Sequence, residues 1–457
     1  MSDEHGAQFS STYGHPIVET PNMDRLAAQG VTFDANYCNS PLCIPSRASF
    51  MTGQYVSTAE IWDNSKPMPV DRLTWPYLLR NEGYDTALNG KMHLTGPDGL
   101  HGFEKQLSLD PSRSLDHYTW SDGIPKASED WVGIRAAKAG VSRTNKADDA
   151  MESAAVEYLS DPARHEKPFA MCVGFFAPHF PFVVPEPYFS MYYPDNVDLP
   201  NIPEGHLDDL PPSAERLRRM FGFVGNWSED EIKRARAAYY GLVTFLDAKI
   251  GHLMGTLEEQ GLAENTVIIH TSDHGDMLGE HGLWRKMSFY EQSARVPLQI
   301  SWPGKFAGGQ RIGEAVSNVD AVATILDLAG IDLTKWNLDG QSLVTALNGD
   351  TSELNDVAIS EHFAHGTDRA MGMVRSGNWK LCYDHDDPAD LELYDLDNDP
   401  GEFANLAGVP EHSDIQERLL KILMDQWGDP DALTAKILRD QEDRKVIRDV
   451  TGVGTIF

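Results

Sequence analysis

The stretch Ser40–Tyr55, SPLCIPSRASFMTGQY, sets Cys43 four residues ahead of Arg47, with Pro45 and Ser46 between them. Cys43 has no partner at C-x-x-C spacing, so neither a zinc knuckle nor a dithiol redox pair is on offer. Residue chemistry alone leaves two readings. As a small hydrophobe the side chain fills core space, which is what most free cysteines do. As a thiolate it is a nucleophile, provided a cation lowers its pKa and a base stands near; Arg47 meets the first need. Elsewhere the chain offers Lys91 and His93 in GKMH, His179 in APHFPF, Asp273 and His274 in TSDHGD, and Lys286 in GLWRK. Taken singly, each lysine is a solvated charge and each histidine a satisfied structural side chain. His281, seven residues after His274, suggests a two-histidine zinc pair, but the glycines around it mark a turn.

Elements must carry these residues to one place. TPNMDRLAAQG offers Thr20 as N-cap, Pro21 at the first helical position and Gly30 as terminator. LTWPYLLRNEGY predicts the next helix, and DTALNG a short strand. KPFAMCVGFFAPH is a compact apolar run, suited to a strand buried on both faces and ending at His179. Residues 184–227, rich in proline and aromatics, predict a surface wrap. Ser228 and Glu231 form a capping box that opens a long amphipathic helix to Gly261. TVIIHTSDHGD follows as a buried strand with Asp273 and His274 at its carboxyl end. This alternation predicts an α/β fold, a mostly parallel central sheet flanked by helices, with ligands beyond the strand ends. From about residue 365 the pattern changes. MGMVRSGNWKLCYD reads as a hairpin turning at Ser376-Gly377, and LELYDLDNDP as a further strand. The expected division is a catalytic domain over 1–365 and a small C-terminal subdomain over 366–457, an antiparallel sheet plus helix with a tail. At the other end MSDEH reads as the end of a strand, leaving room for a strand ahead of it.

A chain of 457 residues exceeds what one core usually supports, which favours a large domain with a smaller companion. The net charge of −32 sets up a field that repels nucleic acid and anionic membrane, so neither is an expected partner. No apolar run reaches the length of a membrane span. Cys38, Cys43, Cys172 and Cys382 are too few for a disulfide scaffold. With no signal peptide in view a cytoplasmic location leads, and a periplasmic or secreted one stays open if the native chain begins earlier. The arm DRKVIRDVTGVGTIF fits a contact in a homo-oligomer and equally a plain tail.

CIPSR resembles the C-x-P-S-R signature of type I sulfatases. GKMH resembles that family's lysine–x–histidine pair, and SDHGDMLGEHGLWRK its metal-binding strand end with a later lysine. MSDEH resembles its first metal-binding strand end, and LYDLDNDPGEFANL its C-terminal segment. Order and spacing match from near residue 1 to near 450. SPLCIPSRASFMTGQ, GKMHLTGPDGLHGFE and GLWRKMSFYEQSARVPL are similar to choline sulfatases in particular.

The resemblance implies an alkaline phosphatase-like fold and hydrolysis of sulfate monoesters. It implies that Cys43 is oxidised after translation to formylglycine by a formylglycine-generating enzyme. One oxygen of the hydrated aldehyde, its pKa lowered by a metal and Arg47, would attack sulfur, and the second would let sulfate leave by C–O cleavage. Lys91 and Lys286 would clamp the sulfate oxygens, His93 would hydrogen-bond the gem-diol, and His179 would protonate the leaving alcohol. Asp3, Asp273, His274 and modified Cys43 would hold one divalent metal. Ca2+ comes first for carboxylate oxygens, with Mn2+ or Mg2+ open because imidazole is a less typical calcium ligand.

Two departures from the commonest family pattern stand out. Asp3-Glu4 replaces two consecutive aspartates, and Glu4 is left outside the ligand set. Asp273-His274 replaces Asp-Asn, and the Asp-His pair also occurs in the branch that hydrolyses phosphonate monoesters and phosphodiesters. Trp62, Asp63 and Asn64 resemble a segment near the pocket mouth, although Trp62 reads equally as core. The insert at 110–145 matches choline sulfatases poorly and is where substrate-selecting residues, including an aromatic cage for a quaternary ammonium, would sit. The expected substrate is a small alkyl ester such as choline sulfate, ahead of aryl or sugar sulfates. The alternatives are a phosphonate monoester or phosphodiester hydrolase, and a silent anion-binding protein whose Cys43 stays a thiol.

Overall fold

The computed structural model describes residues 1–96, 98–112, 134–225, 227–385 and 387–451. The SLDHYTWSDGIPKASEDW part of the insert, with its expected aromatic cage, lies outside them, as do the last residues of the C-terminal arm.

The main sheet is built from β1 (Gly30–Tyr37), β2 (Asp85–Gly90), β3 (Lys105–Ser108), β4 (Phe169–Gly174), β5 (Ile268–Thr271), β6 (Leu298–Ser301) and β7 (Gln310–Ser317). It comes in two halves. In one, β2 lies between β3 and β4 and is parallel to both. In the other the order is β5-β6-β1-β7, with β6 antiparallel to both neighbours and β1 parallel to β7. The first residues of the chain join the halves. The Met1 ammonium donates to the Val173 carbonyl at 2.8 Å, and Ser2 N–H to that of Thr271 at 2.9 Å. Both bridges here, Ser2 to Ser272 and Asp3 to Pro178, are parallel.

Helices cover both faces, so adjacent β4 residues Cys172 and Val173 enter different cores. The relevant helices are α1 (Pro21–Ala28), α2 (Cys43–Thr52), α3 (Trp75–Asn81), α4 (Arg143–Leu159), α5 (Glu229–Glu259) and α6 (Asn318–Leu328). Phe50, Trp75, Leu79 and Leu326, from α2, α3 and α6, pack with Leu88 and Cys172. Met151, Ala155, Leu242 and Leu246, from α4 and α5, pack with Val173. The capping box of Ser228 and Glu231 opens α5 as expected, and Ser142 with Asn145 makes a second one at α4. Two local expectations shift. The Thr20 hydroxyl accepts Ser11 N–H at 3.0 Å instead of capping α1. Gly30 opens β1, and Gln29 ends the helix.

The second sheet is an antiparallel meander of β8 (Val357–His362), β9 (Met371–Ser376), β10 (Trp379–Asp384) and β11 (Glu392–Asp395). Its hairpin turns at Gly377, whose φ of +59° is the left-handed conformation that favours glycine. Helix α7 (Ser413–Trp427) lays Leu419, Leu423 and Trp427 on Val374 and Leu381, and α8 (Pro430–Thr451) follows.

Glu392, buried in this second sheet, accepts the Tyr394 hydroxyl at 2.5 Å. Burial above all, with Asp390 and Glu402 nearby, pushes its pKa from 4.5 up to about 8. The folded value exceeds the unfolded one, so the stabilisation is full below about 4.5 and is lost as pH rises through about 8. Between those limits stability is expected to fall by up to ~1.4 kcal/mol per pH unit from this group. Urea unfolding at pH 6 and pH 8 should show the fall, and Glu392→Gln should shrink it.

Candidate active site

Cys43 is the first residue of α2, and all ten residues of this helix are buried. The α2 backbone therefore aims the positive end of its dipole at whatever Cys43 faces. Asn64 fixes the entry by accepting Ile44 N–H at 2.9 Å, and the Ser46 hydroxyl donates to the Asp273 carbonyl at 2.6 Å.

One turn into α2, the buried Arg47 guanidinium gathers three other segments. Its Nε donates to Asp273 Oδ2 at 2.7 Å, Nη1 to the Lys91 carbonyl at 2.7 Å, and Nη2 to Asp3 Oδ2 at 3.2 Å. Lys91 leaves the end of β2 and forms an ion pair with Asp3 Oδ2. Gly174 permits the crossing: a Cβ there would lie 1.8 Å from the Lys91 carbonyl oxygen. Asp273 leaves the end of β5, and its Oδ1 accepts the N–H groups of Glu4 at 3.1 Å and His274 at 3.0 Å. Burial opposes charge on Asp3, but Lys91, His179 and Arg47 together hold its carboxyl well below the usual range.

The donor atoms of Asp3, Cys43, Asp273 and His274 all lie within 4.8 Å of one another, and all four residues are buried. Arg47 uses one oxygen of each aspartate, which leaves Asp3 Oδ1 buried without a hydrogen-bond partner among the described residues. An orphaned carboxylate oxygen in a cluster of oxygen and imidazole donors fits a divalent cation. Cys43 Sγ, which stands where formylglycine oxygens would stand, is 3.2 Å from His274 Nε2. Burial would raise this thiol, yet Lys286, His274 and His179 bring it well below its ordinary value. Burial likewise opposes charge on His274, but Asp273 carries its pKa up to about 9.

His179 and Lys286 form the opposite wall. His179 stacks on Phe180 at 4.0 Å and pairs its Nδ1 with the Phe180 carbonyl at 2.7 Å, leaving Nε2 to accept from Lys286 Nζ at 3.1 Å. Burial and Lys286 push His179 down to about 3, while Cys43 and Glu4 help hold Lys286 protonated against its own burial. The proton of this pair sits on Lys286. His93 is placed two residues beyond Lys91, its N–H on Asp110 Oδ2 at 2.7 Å. No hydrogen bond joins His93 to Cys43 among the described residues. His281 stands apart, bonded to His206 Nε2 at 2.8 Å and stacked on Tyr290 at 3.8 Å.

Four contributors escape a reading of motifs. Glu4 is buried 3.3 Å from Lys286 Nζ and 3.3 Å from His179 Nε2, and burial pushes its pKa up to about 8. Asp148 of α4 accepts the N–H groups of Phe176 at 2.6 Å and Ala177 at 3.0 Å, setting the backbone just ahead of His179. His365, beyond β8, has Nε2 3.4 Å from Asn64 N and feels the charges of Cys43 and Lys286. Arg444 of α8 grips the buried Asp63 at 2.6 Å, steadying the segment that holds Asn64. Only Asp148 had a signal nearby, the capping box three residues before Asn145 hinting at an ordered helix start. Trp62 is fully buried against Phe363, so the core reading is the right one for it.

The family model described as Sulfatase matches residues 1–331, and that of N-sulphoglucosamine sulphohydrolase, C-terminal, matches 279–428. A choline-sulfatase of Rhizobium meliloti (strain 1021) is 34% identical, across 96% of this chain and 88% of its own. The chain belongs to the sulfatase family. Arylsulfatase K of Mus musculus is 31% identical to this sulfatase, across 89% of the present chain and 75% of the relative. Its fold is shared with the phosphonate monoester hydrolase of Agrobacterium radiobacter, at a TM-score of 0.75, 24% identity and coverage of 93% and 94%.

Removing Arg47 would strand two buried carboxylates. Arg47→Ala is expected to cost about 3–5 kcal/mol in urea unfolding. Arg47→Lys should restore only part of it, because an ammonium lacks the planar fork that meets three acceptors.

Proposed function

We propose that this sulfatase hydrolyses small alkyl sulfate monoesters, with choline sulfate as the reference substrate. The nucleophile is formylglycine, made from Cys43 by a formylglycine-generating enzyme, beside one divalent metal held by Asp3, Asp273, His274 and residue 43. The observation that carries the reading is the convergence of those four donors within 4.8 Å, at the amino end of a buried helix. The likeness to a choline-sulfatase supports the choice of alcohol. Ca2+ suits the two carboxylates best; Mn2+ is the alternative that an imidazole donor favours, and Mg2+ the other oxygen-seeking ion.

When present, the metal would supply Lewis-acid charge and the hydrated aldehyde a nucleophile that no encoded side chain provides. The chain's own residues do the rest. Arg47 neutralises the two aspartates and fixes their orientation. The α2 amino end and Lys91 draw an anionic ester inward and hold its oxygens. Lys286 stores a proton, and His179 Nε2 is placed to pass it to the departing alcohol oxygen. His93 stands at the rim, where Asp110 fixes its backbone.

This division of labour predicts a dependence on the leaving group. His179→Gln should slow an alkyl sulfate by ~10²–10⁴-fold, and an aryl sulfate with an acidic phenol far less. Equal losses on both would remove His179 from proton transfer. Material matured with the modifying enzyme should yield a Cys43 peptide about 18 Da lighter than the thiol form. A persistent thiol there would favour the silent anion-binding reading. Steady-state rates on matched aryl sulfate and aryl phosphonate should favour sulfate. A phosphonate preference would select the other hydrolase, for which the Asp273-His274 pair speaks.

The metal reading has a solution test of its own. His274, with a pKa near 9, is protonated at neutral pH and must lose that proton to bind a cation. Calorimetry of Ca2+ binding in buffers of different ionisation enthalpy should show release of about one proton per ion. Affinity should climb as pH rises toward 9 and then level. His274→Asn should abolish the proton release.

A further inference from the structure

A second group of donors lies on the far side of Asp3 from Cys43. Ligand atoms of Asp3, Glu4 and His179 all fall within 4.8 Å of one another. The first cluster, around Cys43, does not include Glu4. Glu4 Oε2 is 3.3 Å from His179 Nε2, and Asp3 Oδ1 is 4.0 Å from the same nitrogen. The two clusters share the Asp3 carboxylate and differ in every other member.

Three observations say what fits. The first is unmet demand. Asp3 and Glu4 are fully buried, and among the described residues Asp3 Oδ1 and both Glu4 oxygens have no hydrogen-bond partner. Buried carboxylate oxygens in that state call for a cation. The second is the presentation of His179. Its ring stacks on Phe180, and its Nδ1 is paired with the Phe180 carbonyl at 2.7 Å. Fixing one ring nitrogen on a carbonyl and leaving the other's lone pair free is how metal-binding histidines are usually held. The third is the group now in place. Lys286 Nζ donates to His179 Nε2 at 3.1 Å and stands 3.3 Å from Glu4 Oε1. Charge-assisted N–H···O bonds close to about 2.7–2.9 Å, so this ammonium balances the charge of Glu4 without satisfying its oxygens. Nor can Glu4 readily adjust. Its φ of +65° is one that residues other than glycine seldom adopt. Its N–H is held by Asp273 Oδ1 at 3.1 Å, and its carbonyl accepts the Tyr239 hydroxyl at 2.6 Å.

We propose that Asp3, Glu4 and His179 form a second, inhibitory divalent-cation site, whose place the Lys286 ammonium holds while no ion is bound. Two carboxylates and one imidazole suit Mn2+ or Zn2+ better than Ca2+. Asp3 can serve both clusters, because a carboxylate has lone pairs to spare beyond those that Arg47 and Lys91 take on Oδ2. An ion here must move Lys286 off His179 and take the Nε2 lone pair for itself. His179 then has no nitrogen left to carry a proton. That consequence rests on the proton path proposed above; the site itself does not.

Equilibrium dialysis against Mn2+ tests the site without a catalytic readout. Mn2+ is the probe because the Cys43 thiol would draw Zn2+ to the first cluster. The unchanged chain should take up a second equivalent only weakly, since the ion must evict an ammonium. In Lys286→Ala that equivalent should tighten by about 10–100-fold, and adding Glu4→Gln or His179→Gln should reverse the gain. Adding His274→Asn, which alters the first cluster alone, should leave the gain in place. If Lys286→Ala does not fold, Lys286→Met keeps the length of the side chain, drops its charge and carries the same comparison. A Lys286 variant with no gain in Mn2+ affinity, or a gain that survives Glu4→Gln and His179→Gln, would overturn the proposal. An unchanged chain that binds no ion tightly, together with a gain in Lys286→Ala that Glu4→Gln removes, would support this site and count against the first one.

Discussion

A guanidinium sealed away from water between two carboxylates organises this molecule. Arg47 reaches Asp3 from the first turn of the chain and Asp273 from its middle, and it also takes the carbonyl of Lys91. Each aspartate alone would be costly in that position, and each would repel the other. The cation between them offsets that repulsion, and among the described residues an oxygen of Asp3 remains free of hydrogen bonds for another charge. Because a planar fork has fixed directions, the same contacts also fix the angle at which α2 presents Cys43. Electrostatics and positioning are one device here.

The sheet supplies the convergence on which that device relies. Lys91, His179 and Asp273 sit beyond the carboxyl ends of β2, β4 and β5, so the two halves of the sheet together deliver residues that are far apart in sequence. The second sheet is tied in electrostatically. Lys380 is buried between Glu402, 2.7 Å away, and Glu291, 3.1 Å away on the segment that follows Lys286. Arg444 reaches back from α8 to Asp63. The position of the wall formed by His179 and Lys286 thus depends on both sheets.

Much of this was legible in the amino-acid sequence, and the parts that were not share a cause. Periodicity placed β2 and β4 closely, and the rule that ligands gather at strand ends pointed to His179, Asp273 and His274. The meander and its turn at Gly377 were equally plain, since a hairpin is a local signal. Partners set by packing were hidden. Nothing near Glu4 announces that Lys286 and His179 will face it, nor near His365 that Asn64 will. The reversed direction of β6 was also invisible, because an apolar run reads the same either way. Thr20 failed as a cap because Ser11 claimed its hydroxyl first, a contact that local propensity does not contain.

The burial of Cys43 bears on the order of events in the protein's life. Its side chain is 3% exposed and lies in a helix with no open face. Another enzyme's catalytic groups cannot surround a side chain so enclosed. Any enzymatic conversion of this thiol must therefore come before the segment folds, and closure of the helix then seals whichever form is present.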